Sequence, residues 1–229
     1  MKKIFALSIA ALAIAGCNFN TDPDEDINYT SKYCIVSDLN GHNISKTEFV
    51  ETGRVKETAK EYEYVDNNWD FKRKIVTERT FDTYGNTILL KRSFYDASDN
   101  LSGVSQVKYE YNYQGTRPAD CNVYEEVNGD WVNTQYSIYS YDFGNNIVSS
   151  TLTYDLVATG MELPYMNDEY AYSNGLMTNH TRYVIDEASQ KWNTLFTATY
   201  NYDQYGRLVT VRTEYPAAAA SSNLLTYYY

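Results

Sequence analysis

The sequence predicts an all-β fold, a long antiparallel meander of about fourteen β-strands that is built from repeated hairpins and is curled or barrel-like. Three observations predict it: a turn signal that recurs about every 30 residues, a second turn between neighbouring copies, and alternation of side chains along the segments between turns. The turn signal is clearest at Tyr200–Leu208, which reads YNYDQYGRL. Its aromatic residues suit a strand, Asp203 can accept hydrogen bonds from the backbone ahead, and Gly206 can adopt a positive φ.

Glycines mark the first set of turns. They are Gly53, Gly85, Gly115, Gly144, Gly175 and Gly206, spaced 29 to 32 residues apart. An aromatic residue precedes each glycine by three or four positions: Phe49, Phe81, Tyr111, Tyr141, Tyr172 and Tyr202. A period of about 30 residues that contains two turns is typical of a repeated β-hairpin.

A second set of turns lies about midway between neighbouring glycines. These turns are predicted at Asp66–Asn68, Asp99–Gly103, Asn128–Asp130, Ala158–Asn167 and Ala188–Gln190, with Asp38–Gly41 and Ala217–Ser222 continuing the rhythm outward. The resulting strands are roughly ten residues long, and the short connections make consecutive strands antiparallel neighbours. Because open twisted sheets rarely exceed ~10 strands, we expect the meander to curl on itself or close.

Three tryptophans indicate that the larger repeat contains two hairpins. Trp69, Trp131 and Trp192 lie 62 and 61 residues apart, and each follows a midway turn in alternate hairpins. One interpretation is that each indole anchors local packing at the start of a strand. The other is that each is a partly exposed platform on which a sugar or another surface partner stacks. Four strands separate successive tryptophans, about 19 Å, so they would form separate subsites.

Alternation assigns side chains to the two faces of the predicted strands. One face is expected to carry Val107, Tyr109, Tyr111 and Tyr113, and another to carry Thr194, Phe196, Ala198, Tyr200 and Tyr202. The same rule places Arg73 and Arg79 on the face of Trp69, and charged residues such as Lys72 on the opposite face. Residues Arg54–Val65 have a helix-forming composition, but their place in the repeat predicts a strand.

The repeat resembles the YD repeats of bacterial RHS proteins and animal teneurins. The best match is YNYDQYGRLVTV at Tyr200–Val211; FDTYGN at Phe81–Asn86 is weaker, and YDFGN at Tyr141–Asn145 is one residue short. The resemblance implies a β-hairpin array over Tyr29–Tyr215. The chain departs from that family in the length of its period, and it is too short to build the family's large shell.

The first 16 residues have the pattern of a signal peptide. Lys2 and Lys3 precede an apolar run, Ile4–Ala15, which ends in Ile14-Ala15-Gly16-Cys17. This ending resembles the bacterial lipobox, and the resemblance implies cleavage before Cys17 and attachment of lipid to it. The alternatives are an ordinary secretory signal or a short membrane helix, although the apolar run is short for a bilayer.

An acidic segment follows, and we expect residues 17–28 to be a disordered tether. It carries Asp22, Asp24, Glu25 and Asp26 around Pro23 and has little to bury. The run resembles the surface-export signals of Bacteroidota lipoproteins, and a plain solvated spacer is the alternative. Removing residues 1–16, which contain two lysines and no acidic residue, lowers the formal net charge from −11 to −13. Such a charge argues against a nucleic-acid partner.

Residues 29–229 are expected to form one repetitive β-hairpin domain without a cofactor or metal site. His42 and His180 lack metal-ligand spacing and are predicted to be polar surface residues. Carboxylate pairs such as Glu125-Glu126 and Asp168-Glu169 are frequent in an acidic chain, so they do not identify a glycosidase. Cys34 and Cys121 could form a disulfide only if the sheet curls back far enough to bring them together.

Three functions remain open at this point. The first is a lipid-anchored protein of the cell envelope, bound to the outer membrane and exposed at the surface or facing inward, which binds or scaffolds a glycan or a surface protein without chemistry. The second is a secreted hydrolase whose carboxylate site the sequence does not reveal. The third is a membrane-spanning β-barrel, which the charges on both faces of the strand after Trp69 disfavour.

Overall fold

The computed structural model describes residues 32–142, 147–157, 163–186, 188–218 and 221–229. The signal peptide, Cys17, the acidic tether and Gly144 therefore lie outside the described residues, as does part of the predicted turn at Ala158–Asn167.

The described residues form fourteen β-strands, which confirms the predicted all-β fold. The strands are β1 Tyr33–Asp38, β2 Asn43–Thr52, β3 Lys56–Val65, β4 Asn68–Phe81, β5 Thr87–Tyr95, β6 Leu101–Gln114, β7 Arg117–Val127, β8 Asp130–Tyr141, β9 Val148–Asp155, β10 Met166–Ser173, β11 Leu176–Asp186, β12 Lys191–Tyr202, β13 Leu208–Glu214 and β14 Asn223–Tyr228. Residues 54–65, whose composition suits a helix, contain strand β3 as the repeat predicts.

The sheet closes into a barrel in which every strand pairs antiparallel with its neighbours in sequence. Strand β1 completes the ring by pairing with β14, for example Ile35 opposite Thr226 and Val36 opposite Leu225. Closure removes both free edges of a long meander, and exposed edges would otherwise invite pairing with other chains. We call the end with the β2–β3, β4–β5 and β6–β7 turns the glycine end, and the opposite end, where Trp69, Trp131 and Trp192 follow their turns, the tryptophan end.

Two turn types account for much of the repeat. In the five-residue turns at Asp38, Asp82, Asp96 and Asp203, the carboxylate accepts hydrogen bonds from the backbone N–H groups two and four residues ahead. In the two-residue turns Asp66-Asn67, Asn128-Gly129 and Asn174-Gly175, both residues have positive φ. Positive φ at both positions matches the right-handed twist of the flanking strands.

Two turn predictions need correction. The turn predicted at Asp99–Gly103 lies at Asp96–Asn100, where Asp99 has the positive φ of +66° and Gly103 lies inside β6. Gly53 was expected to supply a positive φ, but it is not among the positive-φ residues. A Cβ atom there would lie 3.0 Å from the carbonyl oxygen of Lys56, so close packing is what favours glycine at this position. Gly85, Gly115, Gly175 and Gly206 have the predicted positive φ.

Ten strands contain an extra residue within their first five positions, which is a β-bulge. The extra residues are Ile44, Lys72, Ile88, Ser102, Ala119, Thr134, Ser149, Thr178, Leu195 and Val209. A bulge increases the local right-handed twist and bends the strand. Bulges repeated around the sheet therefore favour its closure into a barrel.

The bulges correct two predicted faces. Phe196 lies opposite Arg182, whereas Thr194 lies opposite Tyr183, because Leu195 is the extra residue between them. Thr194 therefore does not share the face of Phe196. For the same reason the bulge at Lys72 places Trp69 on the face opposite Arg73 and Arg79.

The two faces of the sheet differ in burial. Registers followed around the ring place most of the buried strand residues on one face, including Cys34, Ala59, Cys121, His180 and Ala198. We call this the inner face, because one face of a closed barrel must point toward the axis. A buried cluster on this face consists of Phe196, Ala198, Tyr200 and Val211.

The recurrent aromatic residues before the glycines have a structural role on the inner face. Tyr111, Tyr141 and Tyr202 each donate a hydroxyl hydrogen bond to a backbone carbonyl near the start of the preceding strand. The acceptors are Thr87, Pro118 and Met177, at 3.2, 2.7 and 2.9 Å respectively. Each acceptor lies one residue from the bulge of its strand, so the hydroxyl supplies a partner where the ladder is irregular.

Cys34 and Cys121 are buried thiols that do not form a disulfide with each other. They lie on strands β1 and β7, six strands apart around a closed ring of fourteen. The sheet does curl back, but closure brings β1 to β14 and leaves the two cysteines on opposite walls. Burial raises the pKa of the Cys34 thiol to about 11.

Candidate functional site

The three tryptophans belong to equivalent clusters on the outer face of the barrel. Each cluster combines a glutamate, a tyrosine from the next strand and the tryptophan that follows the hairpin turn. The three sets are Glu48, Tyr62 and Trp69; Glu110, Tyr124 and Trp131; and Glu169, Tyr183 and Trp192. We call them the first, second and third outer clusters. The bulges at Lys72, Thr134 and Leu195 turn all three tryptophans outward.

The second outer cluster presents an exposed indole beside an ion pair. Trp131 is 41% exposed, and the Lys108 ammonium lies 5.8 Å from its ring centre and 4.8 Å from that of Tyr124. Lys108 also binds the Glu110 carboxylate at 2.7 Å. Hydrogen bonds from Lys108 and Tyr124 lower the pKa of Glu110, and the same carboxylate raises the pKa of Tyr124. Donor, acceptor and flat apolar ring thus lie side by side.

The first outer cluster has the same parts but is more tightly filled. The Lys46 ammonium lies 4.3 Å from the ring centre of Tyr62 and 5.7 Å from that of Trp69. It binds Glu48 at 2.9 Å, and the lysine side chain is only 16% exposed. The Trp69 ring packs on Tyr64 at a centroid distance of 4.8 Å. Burial and the hydrogen bond to Glu48 raise the pKa of Tyr62 to about 12.

The third outer cluster has no lysine at the equivalent position. Asn167 lies opposite Tyr183, as Lys46 lies opposite Tyr62 and Lys108 opposite Tyr124. The Tyr183 hydroxyl donates to Glu169 at 3.3 Å, and Trp192 is about as exposed as Trp131. The third outer cluster therefore has the tyrosine, tryptophan and glutamate of the other two, but the amide of Asn167 replaces their lysine ammonium group.

A shallow groove of about 590 Å³ adjoins the second outer cluster. Its lining combines the outer-face residues Thr80, Leu89, Lys108, Glu110 and Trp131 with inner-face tyrosines, namely Tyr109, Tyr111 and Tyr113. Its volume falls within the ~300–1,000 Å³ that is usual for small-molecule sites. The neighbouring Asn133 has a buried side-chain oxygen with no hydrogen-bond partner among the described residues. The second outer cluster thus adjoins a concave surface.

The clusters face different directions around the barrel. The tryptophans lie on β4, β8 and β12, four strands apart in a ring of fourteen, which separates neighbours by about 100°. The geometry excludes one continuous track of stacked rings, as the sequence predicts. All three lie toward the tryptophan end, whereas β1, which the N-terminal segment enters, begins at the glycine end.

The inner face contains a charged cluster that the sequence pattern did not predict. The buried Asp168 carboxylate is 2.5 Å from His180 Nε2 and accepts two hydrogen bonds from Arg182, at 2.7 and 3.1 Å. Burial alone would raise the pKa of Asp168, but the hydrogen bonds from His180 and Arg182 outweigh it and hold the pKa below its usual value. His180 is 3% exposed and packs against Tyr170 and Phe196. Its predicted surface position is wrong, whereas His42 is exposed and binds Asp38.

A signal for this inner cluster was present in the sequence. Counting outward from the Asn174-Gly175 turn, with one extra residue for the bulge at Thr178, brings Asp168 opposite Arg182. The turn could be predicted, but the bulge could not be placed. Because Arg182 and His180 engage the carboxylate, Asp168 is held as a structural anion and is poorly suited to act as a nucleophile or base.

The adjacent carboxylates named from the sequence do not form catalytic pairs. Asp168 points inward while Glu169 points outward to Tyr183, since successive residues of a strand face opposite sides. The same alternation separates Glu125 from Glu126. Among the described residues, no group of three or more His, Cys, Asp or Glu side chains could hold a metal ion. Within the same part of the chain, no helix is long and apolar enough to span a membrane.

Comparisons with known proteins find structural likeness only. No known protein family and no curated protein matches the sequence. A crystal structure of TcdB2-TccC3-Cdc42 matches at a TM-score of 0.33 and 14% identity, covering 82% of this chain and 12% of that one. Porin-like proteins from Bacteroides uniformis and Bacteroides vulgatus match at TM-scores of 0.38 and 0.37, with 8% and 10% identity. They cover 86% and 87% of this chain, and 96% and 98% of their own.

Proposed function

We propose that the chain is a lipid-anchored protein of the cell envelope that binds a partner through its outer aromatic surface and carries out no chemistry. The observation that carries the proposal is the second outer cluster, where an exposed indole, an ion pair and a groove adjoin one another. Aromatic side chains that are half exposed beside polar groups are typical of recognition surfaces.

The position of the clusters suits an anchor at Cys17. Fifteen residues separate Cys17 from Tyr33, and this segment reaches at most about 55 Å when extended. The chain enters the barrel at the glycine end, and a ten-residue strand spans about 33 Å to the other end. A lipid on Cys17 would thus attach the barrel by its glycine end, opposite the tryptophan end.

The alternative of a membrane-spanning barrel is disfavoured by the outer face. Lys74, Lys91 and Lys108 lie on this face, as do Glu78 and Glu110. A lysine on the lipid face near the bilayer midplane costs about 2–4 kcal/mol. The hydrolase alternative needs paired carboxylates, and the pairs named from the sequence are split between the two faces.

Labelling with a radioactive fatty acid tests the anchor, and Cys17→Ala is its control. We expect label in the wild-type chain and none in the variant, together with loss of the variant from the membrane fraction. Label that survives Cys17→Ala would contradict lipid attachment at this residue. Protease treatment of intact cells then reports whether the barrel is exposed at the surface.

Screening of the full chain against immobilised glycans and surface proteins tests the binding role. We expect a partner whose binding is weakened by Trp131→Ala or Trp192→Ala while the thermal melting curves stay close to wild type. If no partner binds and all three Trp→Ala variants melt far lower, by about 3–5 kcal/mol in the free energy of unfolding, the tryptophans are packing anchors and the proposal fails.

A further inference from the structure

We infer that the groove beside Trp131 holds an uncharged sugar ring, stacked on the indole and hydrogen-bonded by Lys108 and Glu110. This inference rests on the proposed binding function and names the ligand class of that surface. It also assigns one such site per barrel, because the first and third outer clusters differ from the second in the two ways described below.

The first outer cluster is less accessible than the second. The Lys46 side chain is 16% exposed, less than half the 36% of Lys108. Trp69 is also less exposed than Trp131, and its ring packs on Tyr64 at a centroid distance of 4.8 Å, so less of its face is available to a ligand.

The second outer cluster leaves its ring available. Trp131 is 41% exposed, and the Lys108 ammonium lies 5.8 Å from its ring centre, so part of the indole face is accessible beside the ammonium. The ammonium can donate to a hydroxyl group, and the Glu110 carboxylate can accept from one. A sugar ring presents hydroxyl groups at its rim and an apolar C–H face, which matches an indole flanked by one donor and one acceptor.

Charge selects a neutral ligand over an ionic one. Lys108 and Glu110 neutralise each other, so the groove supplies no surplus charge for an ion. The chain as a whole is strongly acidic, with a net charge of −11 before any processing. The negative charge of the chain would repel an anionic polysaccharide, and a cationic ligand would have to compete with Lys108 for Glu110.

The third outer cluster lacks the cation. Asn167 occupies the position of Lys108, so Glu169 has no ammonium partner there. An unneutralised carboxylate beside Trp192 changes the chemistry of that surface, even though the indole is equally exposed. Trp192 therefore serves as a control for an exposed indole without a neighbouring ammonium, and Trp69 serves as a control for a less accessible indole.

The test uses the full chain, purified in detergent, and affinity electrophoresis in gels that contain a defined polysaccharide. The neutral probes are glucan, mannan and galactan, and the anionic probes are a uronic acid polymer and a sulfated polysaccharide. We expect retardation by at least one neutral probe, at least tenfold weaker binding for Trp131→Ala and Glu110→Gln, and unchanged binding for Trp69→Ala and Trp192→Ala. Glu110→Gln keeps the side-chain size, and thermal melts verify folding of each variant.

Each other outcome overturns the inference. Equal binding by Trp131→Ala and wild type would remove the site from this groove. Retardation by the anionic probes alone would refute a neutral sugar as the ligand. Binding of a surface protein that is abolished by Trp192→Ala would also refute it, but would leave the proposed binding function intact. If no neutral probe retards the wild-type chain, the sugar site is refuted. The proposed binding function would then be tested by the screen against immobilised surface proteins alone.

Discussion

The residue type that is favoured at a position in this barrel depends on backbone geometry as much as on packing. Gly115 has a φ of +69°, and a Cβ atom built there would meet nothing within 4 Å. Gly103 has equally open surroundings but lies inside β6 without a positive φ. The two glycines therefore differ mainly in conformation.

We expect Gly115→Ala to lower the free energy of unfolding by about 1–2 kcal/mol, because an L residue is disfavoured in the left-handed region. Gly103→Ala is the control and should leave stability unchanged or raise it slightly, since it reduces the freedom of the unfolded chain. Chemical denaturation measures both. Equal losses in the two variants would show that space, and not the sign of φ, determines the effect.

Asp168 is a buried charged residue of the inner face that contacts two basic side chains, His180 and Arg182. Its pKa is lowered, so the carboxylate stabilises the fold fully above the pKa of the unfolded chain, ~3.9. That contribution is lost as the pH falls through the lower pKa of the folded state.

We expect Asp168→Asn to lower the free energy of unfolding at pH 7 by about 3 kcal/mol, since it leaves Arg182 without its partner. Its stability should also fall less steeply than that of wild type between pH 5 and 3. Glu169→Gln, the outward neighbour, is the control and should follow the wild-type profile. Melting curves across this pH range measure both effects, and parallel profiles for wild type and Asp168→Asn would contradict the assigned role.

At the scale of the hairpin, the bulge determines which side chains meet. Counting alternate residues along β12 places Thr194 with Phe196, but the extra residue Leu195 moves Thr194 to the outer face. The hydrogen bonds from tyrosine hydroxyl groups on the inner face belong to the same hairpins, because their acceptors are the backbone carbonyls beside the bulges.

We expect Tyr202→Phe to lower the free energy of unfolding by about 0.5–1.5 kcal/mol through loss of the hydrogen bond to the Met177 carbonyl. Tyr205→Phe is the control, because Tyr205 is exposed in the turn and its ring contact with Arg207 survives the change. Urea denaturation compares the two variants. A loss for Tyr205→Phe as large as that for Tyr202→Phe would refute the structural role of the buried hydroxyl.

At the scale of the whole molecule, the seam between β1 and β14 distinguishes a closed barrel from an open sheet. Ile35 and Thr226 lie opposite each other across this seam on the outer face, and Thr210 pairs with Thr226 from the other side. Facing residues of paired strands are close enough for a disulfide, whereas residues two strands apart, about 9.6 Å, are not.

We expect Ile35→Cys with Thr226→Cys to form an intramolecular disulfide in a background of Cys34→Ala and Cys121→Ala. The control pair, Ile35→Cys with Thr210→Cys, should remain reduced, because its strands are not neighbours. Non-reducing electrophoresis and peptide mapping measure the outcome. No bond in the first pair, or equal bonding in both, would contradict closure at this seam.

The sequence by itself determined the strand number, the antiparallel order and most of the turns. These features depend on local chemistry: asparagine and glycine adopt positive φ, turn aspartates bind the backbone ahead, and aromatic residues recur with the hairpin. It also identified the three tryptophans as equivalent, since their spacing is that of two hairpins. Alternation correctly grouped Val107, Tyr109, Tyr111 and Tyr113 on one face.

Tertiary structure decided where alternation is interrupted and which distant strands meet. A bulge depends on the twist that closure demands, so the outward direction of Trp69 and the inward pairing of Asp168, His180 and Arg182 could not be read from local periodicity. The separation of Cys34 from Cys121 likewise depends on β1 pairing with β14. Register and closure are properties of the whole ring, in which each strand is constrained by both neighbours, and no single segment contains that information.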